Sequence, residues 1–322
     1  MSVKSFGNPA SSFRYRFGGT GNRASIPYTP ITASGGNAIY TFNSKKVHVF
    51  TGTGDFTVSG GTLSNVEVFV VAGGGSGNSY TAAGGGAGGV AYNPSVTVSS
   101  GPNSIVVGGA AGNSSAFGIT ALAGGTGAGG GGGGGGAGQP GGSGGGGGST
   151  NSQVSGGPGT QPSQPQPAGT INYGNPGGNS AGEAGNYTSA GGGGAGGAGG
   201  TVPSTHPTGG LGGIGIQAPP TFRDPTNPYG APGPGGGGFW FAGGGGGASS
   251  RSSPYPPGIA TGGGPGGPFA GGGNSGISVF GTGAHAVSAT NGTSNTGGGG
   301  GGNGNEPSKS GGSGIVLIAY PS

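Results

Sequence analysis

The carboxylates and imidazoles that could do chemistry are few: Asp55, Glu67, Glu183, Asp224, Glu306, His48, His206 and His285. No two of the acids lie within ten residues of each other, and no HxxxH or HExxH pair occurs. General acid–base work or metal ligation would need distant groups to converge, and barely enough exist to build one constellation. Cysteine is absent, which removes thiolate ligands and disulfides. GxGxxG recurs, but 99 glycines supply such matches by chance, and none follows a strand and opens a helix. Lys309 is preceded by Ser308 rather than glycine, so there is no phosphate loop. The expectation is a chain that is not an enzyme and that uses no metal or cofactor.

Side chains suited to binding are better represented. Phe239-Trp240-Phe241 holds the single tryptophan, between the runs Gly235–Gly238 and Gly243–Gly247. Phe222, Tyr229, Tyr255 and Phe269 form similar aromatic islands. Rigid aromatic loops anchor interfaces, so these residues are candidate receptor contacts. Their neighbours Asp224, Asn227 and Arg251 would also allow stacking on a sugar ring. The competing reading makes them a hydrophobic plug on the glycine-rich region, or contacts between subunits. At the other end, Arg14, Tyr15, Arg16, Phe17, Arg23 and Tyr28 lie in a basic, aromatic stretch with no core of its own. Six of the nine Lys and Arg residues precede the first acid, Asp55, so this end is equipped to meet an acidic partner. Alternating Arg and aromatic residues also suit single-stranded nucleic acid. One five-residue patch is too little to carry that, and no nucleic-acid partner is expected.

The elements that must position these residues divide into three stretches. Residues 1–37 form the docking segment. Residues 38–123 hold 22 of the 47 Val, Ile, Leu and Phe residues. Val47–Phe50 and Val96–Val98 alternate, whereas Val66–Val71 and Ile105–Val107 read as strands buried on both faces. Turn signals at Gly52–Gly54, Ser59–Gly61, Asn93-Pro94 and Gly101-Pro102 separate them. The pattern predicts an all-β fold without α-helix: a small antiparallel sandwich, closed by the apolar strand at 314–322, which has no local partner. Residues 124–313 are then an insertion dominated by glycine runs such as Gly129–Gly136, Gly144–Gly148 and Gly191–Gly194. A lone glycine helix of threefold, left-handed pitch has no internal hydrogen bonds and gains nothing in water. Several side by side can bond to one another, because without a Cβ their backbones approach closely. Ordering costs about 1–2 kcal/mol per residue, so nearly every backbone group must be paired. No apolar run approaches the length of a membrane span. The N-terminus lacks a signal-peptide pattern, which implies synthesis in a cytoplasm.

The order Tyr40-Thr41-Phe42, Gly54–Val58, Val66–Val71 running into Ala72-Gly73-Gly74-Gly75, then Gly84–Val90, resembles a known family. Val96–Val98, Ile105–Gly108, Ser115–Gly118, Thr120–Gly125 and the closing Gly311–Ile318 continue the match. It is similar to the glycine-rich domain of bacteriophage tail-fibre and other virion proteins, over about residues 38–322. In glycine pattern it also resembles the T-even-like tail-fibre tip adhesins, in which polyglycine II helices form a sandwich and loops at one end touch the host receptor; those adhesins lack the valine strands. The resemblance implies a virion-surface protein that attaches to a tail or capsid component and binds a host glycan or outer-membrane protein without catalysis or membrane insertion. It allows a homotrimer as well as a monomer. The alternative is a purely structural decoration, spike, or tail or neck component. Residues 1–37 match no motif of the family.

Overall fold

A computed structural model describes residues 30–130, 135–149, 152–181, 186–203, 208–251, 261–262, 264, 268–279, 285–304 and 307–322. The architecture below is that of the unit Ile31–Ser322. Nine strands come first: β1 (Thr32–Ser34), β2 (Ala38–Phe42), β3 (Lys45–Phe50), β4 (Gly54–Ser59), β5 (Leu63–Val71), β6 (Val90–Val98), β7 (Gly101–Val106), β8 (Ser114–Ala116) and β9 (Ile119–Ala121). The glycine-rich stretch adds β10 (Ile171–Tyr173), β11 (Asn186–Thr188), β12 (Ile216–Gln217), β13 (Trp240–Phe241), β14 (Ser249–Arg251), β15 (Ile277–Val279) and β16 (His285–Val287), and β17 (Ile315–Pro321) closes the chain. The described residues contain no α-helix, only single 3-10 turns at Gln161–Ser163 and Pro220–Phe222. The fold is all-β, and among the described residues every strand pair is antiparallel except β14 with β15.

Two sheets face each other. One has the order β1-β4-β7-β8-β9 and the other β10-β6-β5-β17-β3-β2. Two-residue turns set the hairpin registers: Asn43-Ser44 joins β2 to β3, and Phe117-Gly118 joins β8 to β9, all four with positive φ. Both central residues positive is the type I′ geometry that matches strand twist. The C-terminal strand does not cap an edge. It lies inside the sheet, with Leu317 opposite Phe69 on one side and Val49 on the other.

The larger sheet is buried on both faces, which explains the unbroken apolar runs in β5 and β17. Val66, Val68 and Val70, with Val316, Ile318 and Tyr320, meet Phe56, Ile105 and Ile119 of the smaller sheet. The alternate residues Phe69, Val71, Ile315, Leu317 and Ala319 point to a third layer, made of the glycine segments. The alanines that interrupt the glycine runs mark this boundary: Ala87, Ala195 and Ala242 pack on the sheet, where the neighbour is a side chain rather than a backbone.

The third layer is a polyglycine II array, legible in its hydrogen bonds. Along the segment 82–89, the N–H groups of Ala82, Gly85 and Gly88 donate to Asn303, Gly300 and Gly297. Those of Ala83, Gly86 and Gly89 donate to Ala128, Gly125 and Leu122, and those of Gly84 and Ala87 to Ala190 and Gly193. Every third residue therefore faces the same neighbour, as a threefold helix requires. The carbonyls complete the set: Gly85 and Ala82 accept from Gly245 and Ala248, Gly86 and Gly89 from Gly75 and Ala72, and Gly84 and Ala87 from Gly146 and Ser143. One segment is thus surrounded by six others. None of Gly84, Gly85, Gly86, Gly88 and Gly89 has a positive φ.

Two boundaries differ from the sequence division. The segments 72–78 and 82–89, within the stretch assigned to the sandwich, belong to the array, and 82–89 is encircled by it. Thr32–Ser34, in the stretch assigned to docking, is the edge strand of the smaller sheet. Conversely, Ile171–Tyr173 leaves the glycine-rich stretch to pair with β6.

Candidate functional site

The array has two ends. Its near end, around Ala72, Gly89 and Ala242, abuts the larger sheet. At its far end the turn Asn78–Thr81 links the segments 72–78 and 82–89. The small sheet β11-β14-β15-β16 is also there, since Ser189 bonds Thr81, Ala248 bonds Ala82 and Gly276 bonds Gly302.

The aromatic islands expected to meet a receptor lie at the near end. Phe222 and Phe241 are fully buried on the larger sheet, with ring centroids 6.2 Å and 5.4 Å from Phe69. They cannot reach a receptor from this position; that expectation is corrected, and the plug reading describes them. Tyr229 and Phe239 pack against the same cluster and are half-buried. Trp240 is half-buried over Gly233, where a Cβ would collide with the indole ring. Phe269 is half-buried, its N–H bonded to Gly262 O at 3.1 Å. The structure thus gathers Phe222, Tyr229, Phe239 and Phe241 into one cluster, on the element that was to carry them but facing inward. Tyr255 and the docking candidates Arg14, Tyr15, Arg16, Phe17, Arg23 and Tyr28 lie outside the described residues.

The far end presents a residue that the sequence argument passed over. Tyr80 is 64% exposed, with φ of 61°, and Thr81 follows with φ of 50°. Left-handed backbone costs a residue with a Cβ about 1–2 kcal/mol, and bulky side chains there are outliers. In a chain with 99 glycines, a glycine at either position would avoid that cost. The turn is pinned nonetheless. Asn78 Oδ1 accepts the Ser79 N–H at 2.8 Å, Thr81 N–H donates to Gly304 O at 2.8 Å, and Tyr80 O accepts from Gly130 N–H at 3.0 Å. A lone tyrosine between two glycine segments, Asn78-Ser79-Tyr80-Thr81, was the available signal.

Several titratable groups stand on the larger sheet and beside the plug. His48 is fully buried; its Nδ1–H donates to Gly35 O at 2.7 Å, and Nε2 accepts from the Tyr320 hydroxyl at 3.3 Å. Burial lowers its pKa, the Gly35 carbonyl opposes this, and the Lys46 charge lowers it further. Lys45 Nζ donates to Glu67 Oε1, and the Tyr92 hydroxyl donates to Glu67 Oε2 at 3.4 Å. Burial and the Glu67 carboxylate push the Tyr92 phenol up to about 12. Asp224 is held low by its Asn227 and Thr226 hydrogen bonds. Among the described residues, no three His, Asp or Glu side chains stand close enough to share a metal ion.

A groove lies beside the plug, on the flank where β10 and β12 approach each other. One cleft, of about 290 Å³, is walled by Tyr92, Ile171, Tyr173 and Gln217 over a floor that includes Phe69. A second, of about 430 Å³, shares Tyr173 and Ile216 with the first and continues past Asn172 and Asn175.

No protein-family model matches the chain, and no curated protein matches it either.

Proposed function

We propose that this chain is a non-catalytic attachment protein of a bacteriophage virion. The N-terminal segment docks it to a tail or capsid component, and the far end of the glycine array meets the host surface. The observation that carries the reading is Tyr80, an exposed aromatic held in a backbone conformation that favours glycine, at the end of the array away from the sandwich. Backbone strain retained on a surface side chain points to use of that side chain, and tyrosine is a favoured interface anchor. The array supports the reading mechanically. Its hydrogen-bonded backbones hold the Asn78–Thr81 turn from several sides, so contact costs little ordering entropy.

The test is binding of the purified chain to intact candidate host cells, with a Tyr80→Gly variant alongside. The substitution relieves the left-handed strain, so thermal stability is expected to rise slightly while binding falls at least about tenfold. A more stable variant that binds as well as the parent would exclude Tyr80 as the contact. The second reading, a structural virion component, is favoured by the burial of Phe222 and Phe241 inside the chain. Under it, host cells bind neither protein, and antibody labels the capsid or tail shaft.

A further inference from the structure

The groove beside the plug has a donor and acceptor pattern that selects its ligand. Its two clefts share Tyr173 and Ile216, so a molecule that occupied both would contact those side chains. Together they fall in the size range of small-ligand sites. None of the residues lining either cleft is charged. The polar side chains of the lining are three amides and the phenols of Tyr92 and Tyr173; the Tyr92 hydroxyl donates to Glu67 Oε2, and the amide hydrogens are largely committed. Asn175 Nδ2 donates to Gly194 O and Ala195 O, both at 2.9 Å. Asn172 Nδ2 donates to Gln164 O at 3.0 Å, and Gln217 Nε2 donates to Gly238 O at 3.2 Å. Asn172 Oδ1 accepts from Gln161 Nε2 at 3.0 Å, which leaves the amide oxygens of Gln217 and Asn175 as the rim's acceptors, beside aromatic and aliphatic walls.

We infer that this groove binds a neutral oligosaccharide, with one sugar ring stacked on Tyr173 and its hydroxyls donating to the amide oxygens of Gln217 and Asn175. A sugar carries many hydroxyl donors around an apolar C–H face, which matches acceptors around an aromatic face. A proline-rich peptide also suits tyrosine and proline walls, but its backbone presents carbonyl acceptors and needs donors from the protein. The absence of lining charge disfavours acidic or phosphorylated glycans. The inference goes beyond the attachment reading: the groove is at the near end of the array, and its ligand binding is independent of what Tyr80 does.

Saturation-transfer NMR and calorimetry on the full chain test it, using maltotetraose, cellotetraose and chitotetraose, with decaproline as the peptide probe. At least one tetrasaccharide is expected to bind, and Tyr173→Ala to weaken it by about tenfold or more. Tyr173 also pairs with Val90, so a folding defect in that variant has to be separated from a binding defect. Ile171→Trp does this: Ile171 is 48% exposed, and the larger ring fills the first cleft from outside the core. A folded Ile171→Trp protein that has lost sugar binding supports the site. The inference is overturned if no tetrasaccharide binds at about 10 mM, if binding survives both substitutions, or if decaproline binds there and the sugars do not.

Discussion

His48 shows how much a single buried side chain constrains this protein. It stands between the two sheets, 5.1 Å from the Phe56 ring centroid and 5.6 Å from that of Tyr320, with one nitrogen committed to Gly35 O. Its folded pKa is lowered, mainly by burial, so the native state binds fewer protons than the unfolded chain as pH falls. The stability from keeping it neutral is complete above the unfolded value near 6.5 and is lost progressively below it. A melting temperature measured across acidic pH should fall below about 6.5, and a His48→Asn variant should show a weaker dependence over the same window. The aromatic plug makes a second residue-scale prediction. Phe241→Ala removes a fully buried ring facing Phe69 and should cost about 3–5 kcal/mol in denaturant unfolding. Trp240→Ala, at a half-buried position, should cost less and leave host-cell binding unchanged. If Trp240→Ala abolishes binding while the fold survives, the near end carries the receptor contact instead.

At the scale of elements, glycine here is a packing residue before it is a flexible one. A Cβ on Gly85 would stand 2.7 Å from backbone carbons of both Gly75 and Ser76, neither of which can yield without moving a neighbouring segment. Gly85→Ala should therefore destabilise the protein by about 3 kcal/mol or more, beyond the usual cost of overpacking, because backbone rather than side chain must move. Gly136 meets nothing within 4 Å and lacks positive φ, so Gly136→Ala should be neutral or stabilising by about 0.5 kcal/mol. Equal losses at both sites would mean that lattice packing is not what glycine provides. The contrast holds even within one run, Gly129–Gly136: a Cβ on Gly130 would collide with the Tyr80 and Thr81 backbone, whereas Gly136 has open space around it. The encircled segment is the mixed Ala82–Gly89, in which Ala87 stands where the neighbour is the larger sheet. Strands were more legible than glycine segments. Val66–Val71 and Ile315–Tyr320 carry apolar residues on both faces because both faces are buried, and that signal is local.

For the whole molecule, the decisive contact is the longest-range one. β17 lies between β5 and β3, so the last residues of the chain complete a sheet begun more than two hundred residues earlier, with the array enclosed between. Deleting residues 315–322 should leave β3 and β5 without a shared partner and open both cores at once. The expected outcome is loss of cooperative unfolding and of soluble protein, read by circular dichroism and expression; a truncated chain that still melts cooperatively would show that the sheet can close without it. The amino-acid sequence alone determined that the fold is all-β, that the C-terminal strand returns to the early strands, and that glycine runs must pair with each other. These follow from side-chain volume, strand periodicity and the need to satisfy backbone hydrogen bonds, which are properties of composition and short segments. Only the tertiary structure decided which segments are neighbours, that Phe222 and Phe241 face inward, and that Tyr92, Tyr173 and Gln217 share a groove. The physical reason is degeneracy. One glycine backbone presents the same N–H and C=O groups as any other, so hydrogen bonding does not choose among partners. The choice falls to the few alanines and aromatics that must meet the sheet, and to the turns that connect the runs.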